Sequence, residues 1–197
     1  MISKISRVIT DMFISKGFVD KQDFELYHYG FFVMLSDIVS LCYCFVVGIM
    51  LKIHFASILF FVFFYLAHRF AGGYHTKSEM HCQVSTILAF TISIFLIKFT
   101  PYLKLSILLI IYLFCSFLLL ILSPADTPQK TLTKKERSLF KKITSLILFV
   151  FFVLIIIIKT YSTSNYYVNA ILVAIVLQTI SVVFGRLFNY RLSTENL

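Results

Sequence analysis

Six long apolar segments, separated by short polar ones, make up most of the chain. They cover residues 31–51, 53–67, 83–99, 105–123, 143–158 and 166–184. An α-helix needs about 20 predominantly apolar residues to cross the ~30 Å hydrocarbon core of a bilayer. A helix also satisfies its backbone hydrogen bonds internally, as a lipid environment requires. The pattern therefore predicts an all-α, polytopic membrane protein with six transmembrane helices.

The second apolar segment, HFASILFFVFFYLAH, is short for a membrane span. Its 15 residues would form a helix of only ~22 Å at ~1.5 Å per residue. That length is less than the ~30 Å core. A helix here must therefore include flanking residues or lie in a thinner part of the bilayer. The alternative is a re-entrant segment that does not cross.

The distribution of Lys and Arg favours the crossing, because cytoplasmic loops carry an excess of these residues. With six crossings, 14 of the 18 Lys and Arg face the cytoplasm, and only Lys52, Lys98, Lys104 and Lys159 face outward. With a re-entrant second segment, the charges split 11 to 7 at best. We therefore predict six crossings with both termini in the cytoplasm.

The first 26 residues form no apolar segment of that length. Apolar residues recur there at helical spacing, with charged residues between them: Ile2, Ile5, Val8, Ile9, Met12 and Phe13. This periodicity predicts an amphipathic helix at the membrane interface, within residues 1–26. The sequence shows neither an internal repeat nor a flexible linker, so we expect one membrane domain over residues 1–197.

Composition and charge narrow the function. A chain with 59% hydrophobic and 14% charged residues has too little polar surface for a soluble globule. The net charge of +9 lies mostly in loops, where membrane lipid and topology explain it better than nucleic acid does. We expect lipid contact, no nucleic acid partner and no cofactor.

One polar stretch, RFAGGYHTKSEMHC at residues 69–82, carries candidate chemistry. A Cys thiolate is a strong nucleophile, and His is a suitable base near neutral pH. On one unbroken helix, His75 and Cys82 would lie ~10.5 Å apart along the axis, so the segment must bend for them to meet. Gly72 and Gly73 provide the freedom for that bend. We therefore predict a catalytic segment within residues 68–82, with His75 a better partner for Cys82 than His81.

Other interpretations of these residues stay open at this point. The glycine pair could be an ordinary turn, and Arg69 a cytoplasmic anchor. His68, His75, His81 and Cys82 lack the close spacing of metal ligands, so we predict no metal site. A transporter or binding protein would use ionisable residues inside its spans, where Asp37 is the one acidic residue. The residues alone leave both an enzyme and a non-enzymatic membrane protein open.

A family resemblance decides between these alternatives. The pattern R-x-x-G-G-x-H-x6-C, formed by Arg69, Gly72, Gly73, His75 and Cys82, resembles the signature of the accessory gene regulator protein B (AgrB) family of bacterial membrane endopeptidases. FELYHYGFF before the first span and SPADTPQKTLTKKE after the fourth are similar to further family segments. The chain departs from the family at Thr131, where relatives commonly carry Pro.

The resemblance implies a cysteine endopeptidase in the bacterial cell membrane that processes a short quorum-sensing propeptide. Such a propeptide has an amphipathic leader, a central Cys or Ser segment and an acidic tail. Cys82 would be the nucleophile and His75 the base, in an active site that faces the cytoplasm. Removal of the tail would leave a thioester, and the substrate's own Cys or Ser would then form a thiolactone or lactone.

The resemblance and the charge distribution together suggest supporting roles for other residues. Arg69, Gly72, Gly73 and Glu79 would support the site, with Glu79 a candidate to orient His75 and Ser78 a weaker one. The loop over residues 124–142 would share the cytoplasmic face with the catalytic segment. Its basic residues are expected to attract the acidic tail of the substrate: Lys134, Lys135, Arg137, Lys141 and Lys142. A homodimer is compatible with this layout.

Overall fold

The computed structural model describes residues 2–74, 79–100, 104–125, 132–161 and 164–194, without the side chains of 79–80 and 188–194. Within these ranges the chain forms α-helices and one short 3-10 helix, Lys21–Asp23. The α-helices are α1 (Ile2–Ser15), α2 (Phe24–Met50), α3 (His54–Ala71), α4 (Glu79–Phe99), α5 (Leu105–Leu122), α6 (Lys134–Tyr161) and α7 (Tyr166–Thr194).

Helices α2 to α7 are each long and apolar enough to cross a membrane, and they coincide with the six apolar segments of the sequence. No β-strand occurs in the described ranges. The prediction of an all-α protein with six membrane-spanning helices is therefore confirmed. Helix α3 does include flanking residues: it continues through Arg69 to Ala71, and its 18 residues extend ~27 Å at ~1.5 Å per residue.

The described chain divides into two compact units, residues 1–43 and 44–197. In the first unit, α1 places its small polar side chains inside, and Ser6 and Thr10 are fully buried. The opposite side of α1 exposes Ile5, Val8 and Met12. An exposed apolar side is what a helix at a membrane interface requires. The interpretation of residues 1–197 as one domain stays a prediction.

Helix α7 is the central element of the second unit, because it packs against α3, α4, α5 and α6. Its buried positions include Ala170 and Ala174, whose small side chains allow neighbouring helices to approach closely. A buried hydrogen bond from the Tyr112 hydroxyl to the Leu148 carbonyl, 2.7 Å long, joins α5 to α6. In the second unit, α7 is therefore surrounded by four helices, and a buried hydrogen bond joins two of them.

The second unit has two distinct ends. At one end, Lys98 lies over the ring of Tyr166, and the Lys159 ammonium donates to the Asn165 side chain. Lys52 also lines a small cavity that Tyr166 helps to form. Three of the four Lys residues that charge counting assigns to the outside are thus located at this end.

The opposite end joins the last residues of α3 to the residues that follow α5. The N–H of Ala125 donates to the carbonyl of Ala71 at 2.9 Å. The start of the glycine segment and the start of the 124–142 loop are therefore neighbours. Which end faces the cytoplasm stays a prediction of the charge distribution.

Candidate functional site

Helix α3 ends where the sequence places its glycine pair. Gly72 has a φ of 74°, a left-handed conformation that glycine adopts without the penalty of a Cβ. Its N–H still donates to the His68 carbonyl at 3.0 Å, which closes the last turn. The chain is not helical over residues 72–74, and α4 begins at Glu79. Residues 72 to 82 therefore do not form one continuous helix, as the spacing argument requires.

Cys82 lies in the first turns of α4 and is partly exposed. Its carbonyl accepts a hydrogen bond from the Thr86 hydroxyl at 2.9 Å. His81, beside it in sequence, is exposed. Cys82 is thus an accessible thiol at the start of a helix that follows a broken segment.

The other predicted site residues on this segment are described only in part. His75 and Ser78 lie outside the described residues, and so does the side chain of Glu79. Arg69 is exposed in the last turn of α3. The pairing of Cys82 with His75 and the supporting roles of Arg69 and Glu79 stay predictions.

The residues that follow α5 pack closely against the glycine turn. A Cβ added to Gly72 would lie 2.6 Å from the Ala125 carbonyl oxygen, closer than non-bonded atoms approach one another. Arg186 on α7 donates from Nε to the Leu122 carbonyl at 2.8 Å, which holds the end of α5. The turn at Gly72 and the chain at residues 122–125 therefore form one packed unit, which we call the turn cluster.

Helix α7 contacts the glycine turn through polar and small residues on one face. The Gln178 amide donates to the Gly72 carbonyl at 2.7 Å and lies 3.1 Å from the ring Nδ1 of His68. One turn further along α7, the Ser181 hydroxyl oxygen accepts from the Tyr74 N–H at 3.2 Å. A Cβ added to Gly185 would lie 2.6 Å from the Gly73 carbonyl oxygen. These contacts fix the backbone directly before His75.

The start of α6 carries the basic residues expected to meet the substrate. Lys134, Lys135, Lys141 and Lys142 are exposed. Arg137 is partly buried instead, and its Nη1 donates to the Pro124 carbonyl at 3.3 Å. The four lysines are therefore accessible to a ligand, whereas Arg137 holds the turn cluster.

An aromatic contact attaches this basic turn to α3, and a capping box fixes the start of α6. The rings of Phe140 on α6 and Phe70 on α3 meet edge to face, with centroids 5.7 Å apart. Thr133 and Glu136 form a capping box at the start of α6, with the Thr133 N–H donating to the Glu136 carboxylate at 2.9 Å. The basic turn is thus placed next to the end of α3.

Sequence reasoning missed the contribution of α7 to this site. Gln178, Ser181, Gly185 and Arg186 occur in or beside an apolar segment, at spacings of three, four and one residues. A polar amide inside a membrane span is a recognised signal of function or helix pairing, and Gln178 carries that signal. The Thr-x-x-Glu pattern of a capping box was also visible at residues 133–136.

Comparisons with known proteins agree with the motif. The family model described as accessory gene regulator B matches residues 6–182. A Clostridium perfringens (strain SM101, type A) protein named "Putative AgrB-like protein" is 26% identical over 189 residues, covering 90% of this chain and 87% of that protein.

A second relative, "Putative AgrB-like protein 2" of Clostridium perfringens (strain 13, type A), is 27% identical over 152 residues. That alignment covers 72% of this chain and 70% of the relative. No solved structure matches the chain. With a family match over nearly its whole length, the chain belongs to the accessory gene regulator B (AgrB) family.

Proposed function

We propose that this multi-pass membrane protein is a cysteine endopeptidase that removes the acidic tail of a short propeptide and prepares the remainder for cyclisation. Membership of the AgrB family suggests a role in quorum-sensing peptide processing. The observation that carries the finer proposal is the break between α3 and α4, which leaves Cys82 partly exposed in the first turn of a helix. A nucleophile that must meet a base seven residues earlier in sequence needs such a break.

The proposed reaction has two steps, each centred on Cys82. His75 takes the proton of the Cys82 thiol, the resulting thiolate attacks the carbonyl carbon of the peptide bond before the acidic tail, and the bond to nitrogen breaks. The departing amine takes a proton from the His75 imidazolium, which leaves a thioester on Cys82.

In the second step, the Cys or Ser side chain of the bound substrate attacks the thioester carbonyl. His75 takes the proton of that thiol or hydroxyl, a thiolactone or lactone ring closes, and the Cys82 thiolate is released. A site that limits water at the membrane boundary favours ring closure over hydrolysis.

The lysines at the start of α6 give the substrate its orientation in this proposal. Lys134, Lys135, Lys141 and Lys142 are exposed on a helix whose Phe140 contacts the end of α3. Basic side chains attract the acidic tail and raise its local concentration. The tail is therefore bound beside the segment that carries the nucleophile. We place this face in the cytoplasm of a bacterial cell, following the charge asymmetry of the loops.

The activity is tested with the full chain in proteoliposomes and a synthetic propeptide. The peptide carries an amphipathic leader, a central Cys and an acidic tail, and mass spectrometry measures release of the tail. Cys82→Ala should abolish release while leaving membrane insertion intact. Cys42→Ala, at an exposed cysteine on α2, is the matched control and should cleave normally.

The base is tested in the same assay. His75→Ala should lower the rate nearly as far as Cys82→Ala does, and the double variant should be little worse than either, because members of a catalytic unit lose activity non-additively. His81→Ala should be much milder. Tail release that persists in Cys82→Ala would contradict the proposed mechanism and favour a transporter or binding protein.

A further inference from the structure

We propose that Gln178 on α7 is a positioning residue that fixes the backbone from which the chain continues to His75. It acts through the Gly72 carbonyl and the His68 ring, and its catalytic meaning rests on the proposed function. The structural part of the inference, that Gln178 holds the glycine turn, can be tested without any catalytic activity.

The hydrogen bonds determine the orientation of the Gln178 amide. The Gly72 carbonyl can only accept, so the group that faces it at 2.7 Å must be the amide nitrogen Nε2. The amide oxygen Oε1 then faces His68 and can only accept, so Nδ1 of His68 carries a proton. The Gln178 amide therefore joins His68, in the last turn of α3, to Gly72, which follows that turn. It also favours the form of the His68 ring in which Nδ1 carries a proton.

Burial makes this amide costly to misplace. Gln178 is 0% exposed, in a helix whose buried positions are mostly apolar. A buried polar group without a hydrogen-bond partner is destabilising, so the amide favours the turn geometry in which both of its ends are paired. The Gly72 carbonyl also needs a hydrogen-bond partner, because it lies beyond the last residue of α3.

The neighbouring contacts on α7 act on the same few residues. Gln178, Ser181 and Gly185 recur at spacings of three and four, and so lie on one helix face. Ser181 accepts from the Tyr74 N–H, and Gly185 permits the close approach of the Gly73 carbonyl. Three successive residues, 72 to 74, are thus held on α7, and the next residue is His75. A displacement of ~1 Å in a catalytic group can reduce a rate ~10²-fold, so this anchorage bears on the reaction.

A thiol probe tests the structural part. Tyr74, which is 38% exposed, is replaced by Cys in a chain whose four native cysteines are Ala, and the rate of modification by a maleimide is measured in proteoliposomes. Gln178→Met keeps the length of the side chain and removes both hydrogen bonds. It should change the modification rate at position 74 at least threefold.

Thr179→Val is the matched control for this measurement. It alters the next residue of α7, whose hydroxyl bonds its own helix at Ile175, and should leave the modification rate unchanged. Equal rates in Gln178→Met and the parent would overturn the inference, whatever the fate of the proposed function.

A pH series with Gln178→Glu tests the catalytic part in the propeptide assay. A protonated carboxyl group can donate to the Gly72 carbonyl and accept from His68, as the amide does, whereas a carboxylate can only accept. The activity of Gln178→Glu relative to the unmodified protein should therefore rise as the pH falls. Gln178→Met should lose at least tenfold in kcat with KM changed less than twofold, at every pH.

Dividing the activity of Gln178→Glu by that of the unmodified protein at each pH removes the effect of groups that titrate equally in both proteins. His68 on α3 is the titratable side chain that contacts Gln178 within the described residues, and it is present in both proteins. A ratio that does not change with pH would overturn the positioning role. An unmodified protein that releases no tail would instead overturn the proposed function, while the thiol measurement would still decide whether Gln178 holds the turn.

Discussion

The N–H of Ala125 donates to the carbonyl oxygen of Ala71 across 2.9 Å. This bond satisfies a carbonyl at the end of α3 that the helix itself leaves unpaired. It also joins the glycine segment to the residues after α5, which are more than fifty positions later in sequence. The glycine turn and the start of the 124–142 loop are therefore parts of one structural unit.

The packing of Gly72 against Ala125 predicts the effect of an added methyl group. Gly72→Ala would combine a φ of 74° with a Cβ 2.6 Å from the Ala125 carbonyl oxygen. Gly17 has a similar φ of 73°, with nothing near its Cβ. Gly17→Ala should cost only the ~1–2 kcal/mol of a left-handed residue. Gly72→Ala should also reduce tail release on the order of 10²-fold, since it displaces the turn.

Thermal unfolding in detergent and the propeptide assay separate these two effects. Both variants should unfold at lower temperature than the parent, but only Gly72→Ala should lose activity out of proportion to its stability. Equal activities in the two variants would show that the contact with Ala125 does not position the site.

Gly185 offers a second steric test, on the α7 side of the turn. A Cβ there would meet the Gly73 carbonyl oxygen at 2.6 Å, whereas a Cβ at Gly30 meets nothing within 4 Å. Gly30→Ala should be neutral or stabilising, because Ala favours a helix over Gly by about 1 kcal/mol. Gly185→Ala should lower tail release at least tenfold, because α7 and the turn must separate. Normal cleavage by Gly185→Ala would argue that the turn tolerates displacement.

The exposed lysines of α6 should control substrate affinity rather than chemistry. Replacing Lys134, Lys135, Lys141 and Lys142 together by Gln should raise KM by about one order of magnitude at low salt, given the modest strength of exposed charge pairs. The dependence of KM on salt should weaken in parallel, because salt screens such charges over ~8–10 Å.

Arg137→Gln serves as the contrast, because Arg137 donates to the Pro124 carbonyl. It should lower kcat and thermal stability, with the salt dependence of KM retained. If the quadruple variant keeps the KM and the salt dependence of the parent, the four lysines contribute only to the orientation of the protein in the membrane.

The orientation in the membrane is tested by labelling intact cells with an impermeant maleimide. In variants with one cysteine each, Cys82 and a Cys at Lys135 should react only after the membrane is opened. A Cys at Lys52, located at the opposite end of the second unit, should react from outside. Labelling of Cys82 from outside would contradict the predicted topology.

The sequence predicts most of the fold because membrane spans need long apolar segments, and all six are visible. The break near Gly72 was also predictable, since the predicted pairing of His75 with Cys82 requires that the segment is not a single helix. The role of α7 was not, because Gln178 and Ser181 reach the turn from more than a hundred positions away. Such long-range pairings leave no local periodicity in a sequence. The hydrogen bond from Arg137 to the Pro124 carbonyl was not predictable for the same reason, and the binding of the substrate tail by Arg137 stays a prediction.

Detection of the thioester on Cys82 tests the central claim most directly. The full chain in proteoliposomes is mixed with a propeptide whose central Cys is replaced by Ala, so that the ring cannot close and the intermediate accumulates. Intact-protein and peptide mass spectrometry should then show Cys82 carrying the substrate without its acidic tail, and hydroxylamine should remove that adduct. Tail release without any adduct on Cys82, or at an equal rate in Cys82→Ala, would contradict the account.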